Sequence, residues 1–349
     1  MRNAGSRKAG VFIWRTADDR GFPEEAPARK SGRGTRETEM DKAETFLRIG
    51  LPKGRMQGKV IQLLSDAGLP VNADEREYRP KIGNGSPYTI GSSTIQYEAK
   101  LLKPQNIVEM LASGSRDVGF AGADWVKELD VDLVELLDTG MDPVSVVAAA
   151  PEALISRLGS LKAPKVTWTE ACGRAPVIAS EYETIACGWM KNNIPGAEFI
   201  RSYGATEVFP PEDADLIVDN CATGGTLRAN GLVIIDTIMK SSTRLYASKK
   251  AMENPAKREA ASALVLILRS VIEARRRVML EVNVSAADLE SVISILPCLR
   301  SPTLSPLEGG KDFAVRVAAP RDQLAALIPE IKRRGGTDIV VTQLSQLVP

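Results

Sequence analysis

Between Gly204 and Leu232 the chain reads GATEVFPPEDADLIVDNCATGGTLRANGL, and these residue types suit the grip of a phosphorylated sugar. Leu216, Ile217 and Val218 form a short apolar strand whose far end delivers Asp219, an acceptor for the paired hydroxyls of a ribose. After Asn220, Cys221 and Ala222 comes Thr223-Gly224-Gly225-Thr226, a loop with bare backbone N–H groups and two hydroxyls. Leu227 to Asn230 then forms a short helix that Gly231 can close, because glycine enters the left-handed C-terminal conformation without a Cβ penalty. Unpaired amides and a helix N-terminus both favour negative charge, so a phosphate suits the loop. Acid and loop together read as a ribose-5-phosphate grip.

What the chain lacks narrows the chemistry. Its 349 residues include no histidine, which excludes an imidazole base, a histidine metal ligand and any Ser-His-Asp or Cys-His pair. Carboxylates, Lys, Arg, hydroxyls, backbone amides or a bound metal must act instead. The balance of 45 basic against 44 acidic residues gives no field to recruit nucleic acid or an anionic membrane. No apolar run approaches the ~20 residues that span a bilayer. Cys172, Cys187, Cys221 and Cys298 show no metal-type spacing and read as reduced thiols, which suits a cytoplasmic protein. An apolar content of 44% provides for a real core, and the length calls for more than one domain.

The elements that must position the grip alternate along the chain. Residues 1–45 carry Gly, Pro, Arg and Glu around one small apolar cluster and read as a disordered extension, with Met40 as a candidate start. Leu47–Leu51 reads as a strand and Met56–Ala67 as a helix with Met56, Val60, Leu63 and Leu64 on one face. Pro104 opens a helix that ends at Gly114, Val118–Ala121 is a strand, and Asp124–Leu129 a helical turn in which Gly122 and Asp124 shape the turn and cap the helix. A second unit starts near Pro143 with the strand Val144–Ala150. Strand Val177–Ala179 leads to a helix carrying Ile185, Trp189 and Met190, with Ser180 and Glu183 as a capping box. Phe199 and Ile200 begin a further strand. Strands at Leu232–Ile238 and Arg244–Ala247 precede a long helix over 255–274. This pattern predicts two α/β lobes around a cleft, a periplasmic-binding-protein-like core. Lobe I takes 46–142 plus about 230–274, and lobe II takes 143–229. The last part, 275–349, reads as strand Val278–Val284, helix Ala287–Leu296, strands Thr303–Leu307 and Phe313–Ala318, helix Gln323–Arg334 and strand Asp338–Leu344. That order is βαββαβ, a ferredoxin-like module.

The chain resembles the long-form ATP phosphoribosyltransferases, the first enzymes of histidine biosynthesis. The resemblance rests on LRIGLPKGRM at 47–56, DVGFAGADW at 117–125, Glu207 with DLIVDNCATGGTL at 215–227, and Arg300-Ser301-Pro302-Thr303 followed by Pro306-Leu307. It covers roughly residues 46–349. The spacing from Glu207 to Asp219 is one residue shorter than in well-known members. Asn220 and Cys221 replace a usual aliphatic pair, and Ala222 a common serine. The resemblance implies attack of adenine N1 of ATP on C1 of phosphoribosyl pyrophosphate, with pyrophosphate leaving alongside Mg²⁺. Such a displacement needs alignment and charge neutralisation rather than a strong base, in keeping with a histidine-free chain. It further implies feedback inhibition by L-histidine through residues 275–349, a homo-oligomer (dimer or hexamer), and no separate regulatory subunit.

Against an ordinary strand end and turn, the resemblance gives Asp219 the ribose hydroxyls, and it gives Thr223, Gly224, Gly225 and Thr226 the 5-phosphate. Glu207 belongs near the ribose or Mg²⁺. Lys53, Gly54 and Arg55 are either solvated loop residues or cleft cations facing pyrophosphate or the ATP phosphates. Tyr182 is either an adenine or ribose neighbour or a half-buried tyrosine, and Lys103 stands before Pro104 where the family often has Arg-Pro near ATP phosphates. Ser301 and Thr303 are either effector contacts or a polar loop beside prolines. Two rival readings share the architecture: a solute-binding protein and a salvage phosphoribosyltransferase. The phosphate loop after Asp219 separates the chain from the first, and its length and loop pattern separate it from the second.

Overall fold

The computed structural model describes residues 44–72, 77–83, 88–90, 93–159 and 166–348. The expected extension falls outside these apart from its last two residues, which already belong to a strand.

Lobe I begins with β1 (Glu44–Pro52), whose alternate residues Leu47, Ile49 and Leu51 are fully buried. Helix α1 (Gln57–Asp66) packs Val60, Leu63 and Leu64 against that face. Short strands β2 (Val71–Asn72), β3 (Lys81–Ile82) and β4 (Tyr88–Ile90) lead to β5 (Ser93–Leu102), which pairs in parallel with the whole of β1. Helix α2 (Pro104–Ala112), with proline at its start where a missing N–H costs nothing, covers the opposite face. Strand β6 (Val118–Gly122) is buried throughout, and α3 (Ala123–Glu128) follows it. A Cβ on Gly119 would come within 2.5 Å of Ile107 Cγ2, so glycine is what lets α2 lie directly on β6.

Strand β7 (Val134–Pro151) runs out of lobe I into lobe II, far longer than the expected Val144–Ala150 segment. Lobe II continues with α4 (Glu152–Leu158), α5 (Trp168–Cys172), β8 (Val177–Ser180), α6 (Glu183–Asn193), β9 (Glu198–Arg201), β10 (Leu216–Cys221) and α7 (Gly225–Ala229). Strand β11 (Leu232–Ala247) then returns along β7 to lobe I. The two strands expected over this stretch are thus one, bent by register shifts between Ile234 and Tyr246. Helices α8 (Lys249–Glu253) and α9 (Pro255–Arg276) close lobe I, with Leu264, Leu268 and Val271 in the same core as β1. Among the described residues, nine strands form one sheet in the order β4-β5-β1-β6-β11-β7-β10-β8-β9, and the β7/β11 ribbon bridges its two halves.

The C-terminal part forms its own sheet. It comprises β12 (Arg277–Ser285), α10 (Leu289–Ile293), β13 (Thr303–Pro306), β14 (Asp312–Pro320), α11 (Leu324–Arg333) and β15 (Thr337–Gln343). The order β13-β14-β12-β15, antiparallel throughout, is that of a ferredoxin-like module. Val278, Leu280, Val282 and Val284 alternate inward against α10 and α11.

Candidate functional site

Four strands end at the same cleft. After β1 come Lys53, Gly54 and Arg55; after β6, Asp124; after β8, Tyr182; at the end of β10, Asp219 and the Thr-Gly-Gly-Thr loop. Strand ends of this kind, in a sheet whose neighbouring strands β1/β6 and β8/β10 run parallel, are where open α/β folds place their ligands.

Two adjoining pockets result. The first is lined by Lys53, Arg55, Pro104, Asp124, Trp125, Asp142, Tyr182, Asn220 and the hydroxyl run Ser241–Thr243. The second is lined by Arg55, Glu207, Asp219 and every residue from Asn220 to Leu227. Arg55 and Asn220 belong to both.

In the second pocket α7 starts behind Gly224, whose φ of +72° is a left-handed conformation that glycine adopts freely, and Thr223 to Leu227 line the pocket around it. Asp219 accepts hydrogen bonds from the Asn220 backbone N–H at 2.6 Å and from Asn220 Nδ2 at 3.2 Å. Burial pushes its pKa up to about 6, and the nearby carboxylates of Glu181 and Glu207 add to the rise. A carboxylate crowded by like charge is a place for a cation. Among the described residues no group of three or more His, Cys, Asp or Glu is arranged to cage a metal. Magnesium, which commonly binds through one or two carboxylates together with substrate phosphates, fits this donor set better than a dedicated cage would.

In the first pocket a buried polar chain crosses between the lobes. Tyr182 Oη donates to Asp124 Oδ2 at 2.8 Å, Ser241 Oγ donates to Asp124 Oδ1 at 2.8 Å, and Asn220 Nδ2 donates to Tyr182 Oη at 3.2 Å. Trp125 packs on the Tyr182 ring with centroids 4.9 Å apart. Burial first, then the Asp124 carboxylate, drives the phenol's pKa upward, so Tyr182 stays a hydrogen-bond donor. Asp142 holds φ at +48°, unusual for a non-glycine residue, and accepts from Lys59 Nζ at 2.7 Å and Thr243 Oγ1 at 3.2 Å. Lys53 Nζ lies 3.8 Å from the centroid of the Tyr78 ring at the rim.

The sequence-derived residues therefore divide. Lys53, Arg55, Tyr182, Glu207, Asp219, Asn220, Cys221, Ala222 and Thr223–Thr226 all line the two pockets. Gly54 and Lys103 do not: Lys103 is exposed at the N-cap of α2, and its neighbour Pro104 is the one lining the first pocket. Ser301 and Thr303 are exposed in the C-terminal module and line neither pocket. Tyr182 is fully rather than half buried. Asp124 makes no side-chain helix cap; its carboxylate is turned into the cleft. The capping box from Ser180 and Glu183 does not form, because Ser180 Oγ is engaged by Val218 O and the Tyr182 N–H. The amides of Thr184 and Ile185 at the start of α6 instead donate to the two oxygens of Glu128, each at 3.1 Å. Asp142, Trp125 and Ser241–Thr243 were not anticipated. The sequence signal for them is a strand-like run broken at Gly140-Met141-Asp142-Pro143 and, on its partner, three successive hydroxyls.

Comparison with known proteins follows the same division of the chain. The family model described as ATP phosphoribosyltransferase matches residues 103–270, and that described as HisG, C-terminal domain, matches residues 274–346. ATP phosphoribosyltransferase of Chlorobium luteolum is 34% identical over 314 residues, covering 88% of this chain and 100% of that protein. The enzyme of the same name from Pelotomaculum thermopropionicum is 33% identical over 309 residues, covering 87% and 99%. Among solved structures, the ATP phosphoribosyl transferase (HisG:HisZ) complex from Thermotoga maritima matches with a TM-score of 0.51 at 23% identity, over 65% of this chain and 98% of that one, a likeness of fold.

Proposed function

The chain belongs to the ATP phosphoribosyltransferase family, and we propose that its first pocket takes ATP and its second takes phosphoribosyl pyrophosphate. The family's reaction, the first step of histidine biosynthesis, joins adenine N1 to C1 of the ribose while the bond from C1 to the pyrophosphate oxygen breaks. The observation that carries the assignment is the shared border: Arg55 and Asn220 line both pockets, so molecules filling them meet at one place.

In this reading the amides and hydroxyls of Thr223–Thr226 hold the 5-phosphate, and Asp219 accepts from the ribose hydroxyls. Arg55, with Lys53 beside it, faces the charge that develops on the departing pyrophosphate. Attack through N1 places positive charge on the adenine ring, and the carboxylates of Asp124 and Asp142 line the pocket where it forms. Glu207 and Asp219 are the residues that would hold Mg²⁺ carried in on the substrate phosphates; when bound, the ion neutralises the leaving group. The enzyme's own contribution is orientation, since a neutral ring nitrogen attacks and an anion leaves.

The 275–349 module supports a regulatory role in which free L-histidine inhibits a homo-oligomer without a separate subunit, Ser301 and Thr303 being its candidate contacts. No helix among the described residues is long and apolar enough to cross a membrane. The four free cysteines favour a reducing, cytoplasmic setting. The deciding experiment compares pyrophosphate release with ATP and with free adenine as acceptor. Release with ATP alone is expected in the wild type, together with near-complete loss in Asp219→Ala; release with adenine only would overturn the assignment.

A further inference from the structure

Helix α3 carries two buried acids one turn apart, Asp124 and Glu128, and both are bonded to lobe II. Asp124 belongs to the first pocket. Glu128 lines neither pocket, yet both its oxygens are spent on the first amides of α6, which a lobe II side chain would ordinarily cap. The residue at the N-cap of that helix is Tyr182, and its carbonyl accepts from Ala186 N at 2.9 Å within the same turn. Fixing the amides of Thr184 and Ile185 therefore fixes the backbone that aims Tyr182 at Asp124 and Asn220.

We propose that Glu128 is a positioning residue for the reaction: from lobe I it pins the start of α6 so that Tyr182 completes the ATP pocket only when the lobes are together. The inference rests on the assignment of ATP to the first pocket. Three observations carry it. The bonds run between residues 56 and 57 positions apart and across the cleft, so they form and break with lobe separation. No lobe II side chain caps the Thr184 and Ile185 amides: Ser180 Oγ holds the Tyr182 N–H and Val218 O, one step short of them, so the turn after Tyr182 depends on Glu128. Trp125, on the same helix as Glu128, stacks on the Tyr182 ring and continues the contact into the pocket. The phosphate loop of the second pocket has no part in this chain of contacts apart from Asn220, so the effect should fall on ATP far more than on phosphoribosyl pyrophosphate.

The test is Glu128→Gln in the full-length enzyme. The amide can accept from one of the two N–H groups but sets its own NH₂ against the other. Each substrate is titrated separately by calorimetry, steady-state kinetics are measured, and amide exchange is followed over Tyr182–Ala186. The expected result is an ATP Kd raised about tenfold, equivalent to ~1.4 kcal/mol, with a phosphoribosyl pyrophosphate Kd within about twofold of wild type. The kcat should fall about fivefold or more, and the α6 amides should exchange faster. Unchanged ATP affinity and kcat in a folded variant would overturn the proposal, as would equal weakening of both substrates in step with a fall in Tm, which marks a stabilising cap alone. If Glu128→Gln does not fold, Glu128→Asp, one methylene shorter, is judged by the same ratios. A wild-type control separates loss of the ATP site from loss of the Glu128 contact. ATP should slow exchange over Tyr182–Ala186; no protection there would overturn the pocket assignment and this inference with it, whereas protection with an indifferent variant overturns this inference alone.

Discussion

At the scale of single residues, Asp219 sets a pH limit. An ordinary aspartate ionises near ~3.9, and burial beside Glu181 and Glu207 holds this one at about 6. Between those values the folded chain keeps a proton that the unfolded chain has lost, so native stability falls as pH rises through about 4 to 6. In the role proposed for Asp219 binding runs the opposite way, because the ionised form would be the one to accept two ribose hydroxyls. The kcat/KM for phosphoribosyl pyrophosphate should therefore fall below about pH 6, and Asp219→Asn should abolish that acidic limb while lowering the plateau; a pH–rate profile of both proteins checks this. Gly224 makes a second residue-scale case. A side chain there is strained at φ +72°, and its Cβ would lie 2.9 Å from Arg228 Nη1. Gly224→Val should raise the KM for phosphoribosyl pyrophosphate by about tenfold or more, with ATP binding little changed, as initial-rate kinetics would show. Asp219 and its loop were legible in sequence because acid, loop and helix are contiguous. Asp124 was misread because its partners, Tyr182 and Ser241, lie 58 and 117 positions away.

At the scale of elements, the longer helices and most strands are readable in the sequence, as the buried face of α1 shows, whereas the short helices α4, α5 and α8 fall outside the expected elements. Strand β5 lies outside the expected elements although Ile95, Ala99 and Leu101 alternate inward with Gln96, Glu98 and Lys100 between them, the signature of a half-buried strand. Strand β11 was split in two because Lys240-Ser241-Ser242-Thr243 reads as a polar break. In the structure the three hydroxyls are buried and bonded to Asp124, Asp138 and Asp142, so hydrogen bonding to carboxylates takes the place of hydrophobic alternation there. The contact of α2 with β6 gives a prediction of its own. Gly119→Ala must displace Ile107, and overpacking of this kind costs ~1–3 kcal/mol; thermal unfolding should show a Tm several degrees lower.

At the scale of the whole molecule, the C-terminal sheet has a separate core, while α9 contributes Leu264, Leu268 and Val271 to lobe I. A chain ending after Arg276 keeps that helix intact and should fold, retain pyrophosphate release and lose inhibition by saturating L-histidine. Parallel assays of the full and shortened enzymes decide it, and a full-length enzyme indifferent to histidine would remove the regulatory reading while leaving catalysis untouched. The two-lobed plan and the ferredoxin-like tail were readable from the order of strands and helices. The continuity of one sheet through both lobes was not, because it depends on β7 and β11 each outrunning its own lobe.

That ribbon has a mechanical consequence. Two strands laddered by hydrogen bonds resist sliding along each other and stretching, but a narrow ribbon bends readily across its width, and bulges soften it locally. With register shifts spread along it from Ile234 to Tyr246, the link would act as a flexure with one easy axis. On such a flexure the lobes would swing on a fixed arc instead of wandering, and whatever each one carries would return to the same alignment at every closure. For a displacement in which nucleophile, carbon and leaving oxygen must fall on one line, repeatability of approach is worth as much as any single contact.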